Sequence, residues 1–171
     1  MSLFKIIKKL FKCNSNNTAY KNDSNLKIKE IIKQGETEIS KNNFDLALKL
    51  FEQAINLDPN CDYPYGDKAL ILDKMGKFKE SLEMYSKALD LNPKNSITWY
   101  NKGLTFVNLK KIEEAIHCFD NAISFDENYS KAWYIKGRCF ELLGNLEKAQ
   151  YCLNVAKKLD PFLFTKMRMN S

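Results

Sequence analysis

WYNKGLTF at residues 99–106 returns as WYIKGRCF at residues 133–140, with five of eight letters unchanged across a separation of 34 residues. A repeated octet marks either a repeated site or a repeated packing problem, and the letters around it decide between them. Sliding the chain by the same 34 residues aligns four units that begin at Ile28, Asp62, Ser96 and Ser130. Their eighth residues are Gly35, Ala69, Gly103 and Gly137. Their twentieth are Ala47, Ser81, Ala115 and Ala149, and their twenty-seventh are Ala54, Ala88, Ala122 and Ala156. The twenty-fourth are large: Phe51, Tyr85, Phe119 and Leu153. Small and bulky residues in fixed register across four copies indicate packing.

Each unit reads as two helices. Trp99, Gly103, Phe106 and Val107 recur at helical spacing, as do Ala115, Phe119, Ala122 and Ile123. Between them the chain must turn sharply. Gly76, Gly144 and Asn42 stand there as residues that tolerate the left-handed conformation ending a helix, with Lys110 a local misfit. Pro59, Pro93 and Pro161 close three units, because proline cannot continue a preceding helix. One such hairpin cannot bury its apolar face alone, whereas stacked copies can. Residues 28–163 are therefore expected to fold as one array of units 28–61, 62–95, 96–129 and 130–163.

Composition agrees with a folded, interaction-type chain. Of 171 residues, 44% are apolar, enough for a core, and no run of 18 apolar residues spans a bilayer. The net charge of +6 is unevenly placed. Six lysines against Asp23 give residues 1–27 a charge of +5, leaving 21 cations and 20 anions in the rest. A near-neutral array with two arginines, Arg138 and Arg168, is a poor phosphate-binding surface, so nucleic acid is not an expected partner. A helical-repeat nucleic-acid binder stands as the alternative reading. The five cysteines and the single His117 have no metal-ligand spacing and read as buried thiols in a reduced, cytoplasmic setting, with no metal or cofactor. Glu113 and Glu114 are adjacent on a helix, so their side chains diverge, and no motif arranges a nucleophile; an enzyme is not expected.

With its Trp-x-x-x-Gly opening, Ala-x-x-x-Phe-x-x-Ala second half and closing Pro, the chain resembles the tetratricopeptide repeat family over roughly four fifths of its length. The resemblance implies an all-α, right-handed solenoid of four helix-turn-helix repeats that binds a protein or peptide along the concave face of its first helices. Departures exist. The seventh residue, usually Leu, is Gln34, Lys68, Lys102 or Lys136; Glu38 replaces a large eleventh residue; Glu127 replaces a proline. Trp99, Gly103, Phe106, Trp133, Gly137 and Phe140 are expected in the packing. The second, fifth, sixth, ninth and twelfth or thirteenth places face the groove, which selects Tyr63, Leu70, Tyr100, Asn101, Leu104, Val107, Lys131, Tyr134 and Arg138. The tyrosines offer rigid amphipathic contact, and Arg138 with Lys131 a positive end. Scattered surface residues without a ligand are the competing reading. The carboxylate clamp of chaperone-binding members is not expected: Asn101 and Lys131 fit it, but Gly66, Leu70 and Ile135 stand where its other polar groups belong.

Residues 1–12, MSLFKIIKKLFK, form a second pattern. On a helical wheel Leu3, Phe4, Ile6, Ile7, Leu10 and Phe11 share one side, opposite Lys5, Lys8, Lys9 and Lys12. Such a helix is about 18 Å long, too short to cross a bilayer, and suits the surface of an anionic membrane, which would place the chain peripherally at the inner membrane face. An end cap on the first unit and a recognition helix for another protein are the alternatives. Residues 13–27 read as a flexible polar linker, and residues 164–171 as a short C-terminal cap or tail.

Overall fold

The computed structural model describes residues 21–163, which form eight helices and no strand. They are α1 (Lys21–Ser40), α2 (Phe44–Leu57), α3 (Asp62–Lys74), α4 (Phe78–Leu91), α5 (Ser96–Asn108), α6 (Ile112–Phe125), α7 (Ser130–Leu142) and α8 (Leu146–Leu159). The strongest packing joins α1 to α2, α3 to α4, α5 to α6 and α7 to α8, followed by each hairpin against the next. This is the expected all-α solenoid of four hairpins. Helix α1 starts seven residues before Ile28, so residues 21–27, which composition assigns to the linker, are helical. Residues 1–12 lie outside the described residues, as do 13–20 and 164–171.

Close approach within each hairpin explains the small eighth residue. A methyl group placed on Gly103 would sit 2.6 Å from the Phe119 ring, and one on Gly35 would sit 2.7 Å from Phe51. On Gly137 it would meet Leu153 Cγ at 2.9 Å. The first helix thus lies directly on the bulky twenty-fourth residue of the second, and Phe51, Tyr85 and Phe119 are sealed from solvent. Each buried ring contributes on the order of 2 kcal/mol from area removed from water. The alanines at places twenty and twenty-seven are likewise buried.

Trp99 and Trp133 are half-buried rather than central, and each ring is held by its N–H. Trp99 Nε1 donates to the Pro93 carbonyl (2.8 Å) and Trp133 Nε1 to the Glu127 carbonyl (3.0 Å). Tyr65 Oη donates to the Pro59 carbonyl at the same place in its unit (3.2 Å). The partner is the main-chain oxygen of the third residue from the end of the previous unit. Glutamate supplies that oxygen as well as proline does, so Glu127 leaves this joint intact.

Lysine at the seventh place also has a physical account. Lys68 pairs with Glu52 and Lys136 with Asp120, in each case the twenty-fifth residue of the preceding unit, while Lys102 Nζ donates to Ser86 Oγ there (3.1 Å). The Lys102 ammonium lies 5.5 Å from the Trp99 ring centre and that of Lys136 5.1 Å from Trp133. The stems cover aromatic surface that leucine would cover, and the heads bind the neighbouring hairpin. Glu38, another departure, accepts from Lys41 Nζ (2.7 Å) and Asn43 Nδ2 (3.0 Å), which fastens the first turn.

All four hairpin turns have one geometry. Asn42, Gly76, Lys110 and Gly144 adopt φ of 59°, 74°, 59° and 74°. The residue after each donates to a carbonyl five positions back, as in Lys77 N to Leu72 O (2.8 Å) and Lys111 N to Phe106 O (2.9 Å), so the last carbonyls of the first helix are satisfied. A left-handed lysine costs about 1 kcal/mol or more. Lys110→Gly is therefore expected to raise the thermal midpoint by a few degrees in a circular-dichroism melt, and Gly144→Ala to lower it.

Candidate peptide-binding groove

The odd-numbered helices form one face of the array. Helix α1 touches α3 and α3 touches α5, whereas no comparable contact joins successive even-numbered helices. The stack therefore bends with its odd helices inside. Where α3 meets α5 on that face lies a small recess of about 80 Å³. From α3 it is lined by Asp62, Tyr63, Gly66, Asp67 and Leu70; Tyr85 closes its base, and Asn95, Ile97, Thr98 and Asn101 supply the α5 wall.

This recess brings together Tyr63, Leu70 and Asn101 of the sequence-derived set. It does not unite the rest. Leu104 and Val107 are half-buried against the core of the third and fourth units. Tyr100 is a correction: only 8% exposed, it packs on Phe119 (ring centres 5.8 Å apart) and Tyr129 (4.9 Å) and belongs to that core. Helical phase at the fifth place tilts the ring into the joint between α6 and α7. Arg138 stays exposed and its guanidinium pairs with Glu141 one turn on, while Lys131 on the same helix is exposed too. Tyr134 is half-buried on the same helix.

The polar groups of the recess are unequally satisfied. Asp62 Oδ2 accepts from Asn92 Nδ2 (3.0 Å) and Asn95 Nδ2 (3.2 Å). Asn95 Oδ1 in turn accepts from the Thr98 N–H (3.1 Å), capping α5. One layer deeper, Thr105 Oγ1 donates to Asp73 Oδ2 (2.7 Å), as does Tyr85 Oη (3.3 Å), linking the second and third units through a buried carboxylate. Asp67 Oδ2, like Asp73 Oδ1 and Ser81 Oγ deeper in the same unit, is sealed from solvent and has no hydrogen-bond partner. Burial, reinforced by the neighbouring Glu36 and Asp62 carboxylates, pushes the Asp67 carboxyl up to about 7. Burial likewise raises Glu36 on α1.

Sequence reasoning passes over Asp67 although it stands at a groove-facing sixth place. The available signal was an acidic residue among Tyr63, Gly66 and Leu70, but sequence alone does not announce the burial of a carboxylate. Gly66 also differs from the packing glycines, because a methyl group there would meet only Thr98 Oγ1, at 3.8 Å. Its missing side chain leaves room in the recess instead of admitting a ring.

The outer face carries larger depressions, of about 400 Å³ around Glu52 and Lys68 and about 450 Å³ around Asp120 and Lys136. Each holds one ion pair across a joint between units, Lys68 with Glu52 and Lys136 with Asp120. Cys61 is disulfide-bonded, which corrects the reading of all five cysteines as thiols. Cys118, Cys139 and Cys152 are free and buried, with burial pushing Cys118 and Cys139 up to about 11 and raising Cys152 too. Among the described residues no cluster of His, Cys, Asp and Glu has the makings of a metal site, and no helix is long and apolar enough to cross a membrane.

Stacked hairpins with glycine-on-ring contacts and left-handed turns define a helical-repeat protein of the solenoid class. Sequence profiles described as tetratricopeptide repeat match residues 32–61, 63–95, 96–129 and 130–162, and the chain belongs to that family. No curated protein matches it in sequence. Among solved structures, it is similar to a crystal structure of MamA, with 18% identity over 92% of this chain and 86% of that one and a TM-score of 0.73. It is also similar to pilF of Pseudomonas aeruginosa, with 20% identity over 81% of this chain and 64% of that one and a TM-score of 0.77. A third is residues 41 to the end of MamA from Desulfovibrio magneticus RS-1, with 17% identity over 80% and 77% and a TM-score of 0.70. At these identities the likeness is one of fold. The repeat family marks the chain as a protein-interaction scaffold.

Asp67 makes stability depend on pH. Its folded-state value lies above the ordinary carboxyl value, so the folded chain holds a proton that the unfolded chain releases. Stability from this group is present below about pH 4 and declines as pH rises towards about 7. Asp67→Asn is expected to raise the thermal midpoint at pH 8 and to leave it nearly unchanged at pH 4, as paired melts would show.

Proposed function

We propose that the chain is a non-enzymatic scaffold whose odd-helix groove receives an extended segment or a helix of another protein. The observation that carries this reading is the recess between α3 and α5, where half-buried Tyr63 and Leu70 stand beside polar Asn101 on a face formed by successive first helices. Rigid aromatic and aliphatic area with a few polar groups suits peptide recognition. A photo-crosslinking benzoylphenylalanine at position 70 is expected to trap a partner in native lysate, and the same residue at position 151 on the outer side of α8 is not. Adducts confined to position 151 would move the binding face to the exterior.

The amphipathic pattern of residues 1–12 supports a second element of the reading, a tether to anionic membrane surface. Lysines near such a surface contribute about 1 kcal/mol each. The full chain is expected to co-sediment with phosphatidylserine-containing vesicles and to stay in solution once residues 1–12 are deleted. Equal sedimentation of both would refute the tether.

A further inference from the structure

We propose that the recess between α3 and α5 is a specificity pocket for a lysine side chain of the partner, with the Asp67 carboxylate receiving its ammonium group. This deepens the groove reading and rests on it.

Four observations converge. Asp67 is one of the residues lining the recess, and its Oδ2 is buried with no hydrogen-bond partner, a costly state for a carboxylate that an incoming donor would relieve. Among the described residues no lysine, arginine or histidine lines the recess. The carboxylates that act on Asp67, Glu36 from α1 and Asp62 from α3, add negative potential, and the α5 wall brings only the uncharged Asn95, Ile97, Thr98 and Asn101. Gly66 keeps open a space of about 80 Å³, enough for an ammonium group and its last methylenes.

The chemistry selects the ligand class. An ammonium presents three donors on a compact head, and the lining residues Asp67, Asn101 and Thr98 each carry an acceptor oxygen. Tyr63 and Leu70 at the rim suit the four-carbon stem. An acidic peptide is repelled here, the reverse of what a carboxylate clamp requires. Burial of Asp67 gives binding a proton signature: an ammonium in the pocket favours the ionised carboxylate, so complex formation near neutral pH releases a proton.

The test uses the full chain and a fluorescein-labelled decapeptide of alternating lysine and serine, followed by anisotropy at pH 8. Binding is expected to fall about tenfold or more for Asp67→Asn, a near-isosteric change, because a charge-assisted hydrogen bond is lost. A similar fall is expected for Gly66→Val, which fills the space without altering charge. Asp90→Asn, at an exposed position on α4, is the control and should leave binding unchanged. The Nε-acetylated peptide should bind no better than the Asp67→Asn variant binds the free one. In carboxyl-resolved NMR, saturating peptide should move the Asp67 midpoint down, a readout that requires no mutant. Equal binding by wild type and Asp67→Asn, or an unmoved midpoint, overturns the pocket. Poor binding by the full chain that recovers on deleting residues 1–12 overturns the assignment to a partner, since the chain's own lysines would then be the occupants. Crosslinks at position 70 that persist in Asp67→Asn would leave the groove standing without the lysine pocket, whereas failure of those crosslinks in wild type falls on the groove itself.

Discussion

The contact between a side-chain-free eighth residue and the bulky twenty-fourth residue sets the rest of the architecture. With Gly103 backbone against the Phe119 ring, the two helices of that hairpin lie too close for a Cβ between them. That distance fixes which residues of the first helix turn inward and which remain for the groove. The same contact at Gly35 and Gly137 makes the spacing regular, so that one hairpin presents to the next the surface its neighbour presents to it. Interiors packed at crystal-like density do not deform continuously, and a repeat solved once is therefore reused.

Around that contact, other positions have more latitude than the family pattern suggests. Lysine replaces leucine at the seventh place because its stem covers the tryptophan while its head reaches the previous hairpin. Glu127 replaces proline because the joint depends on a main-chain carbonyl. Lys110 occupies a left-handed turn with φ of 59°, a conformation that its neighbours enforce although lysine does not favour it. In each case the interaction that the structure needs belongs to an atom that both residue types possess.

The array itself was legible in the letters, since Gly, Ala and aromatic residues recur with a fixed period and each has a steric reason to do so. The turns were legible for the same reason, at Asn42, Gly76 and Gly144. The groove was less so. Helical phase assigns a residue to a face but not to a depth, and Tyr100 sits about one ring too deep, between Phe119 and Tyr129, to serve a ligand. Arg138 was read as a free cation because its partner, Glu141, is a neighbour only after the helix forms. Asp67 escaped because a polar residue at a groove position looks solvated until the opposing helix closes over it. The start of α1 at Lys21 was hidden by a polar composition that carries no apolar period.

The joints between hairpins are not equivalent. Each has an aromatic residue donating to a carbonyl and a lysine reaching across, but the middle one also has the Thr105 hydroxyl bound to the Asp73 carboxylate beneath the surface. In a linear array, stiffness adds up joint by joint. The central pair of hairpins is thus tied through its interior by a polar contact between side chains of both units. A ligand seated between α3 and α5 would bridge two hairpins already joined in this way, while a long partner draped over the whole array would have to engage the outer joints as well.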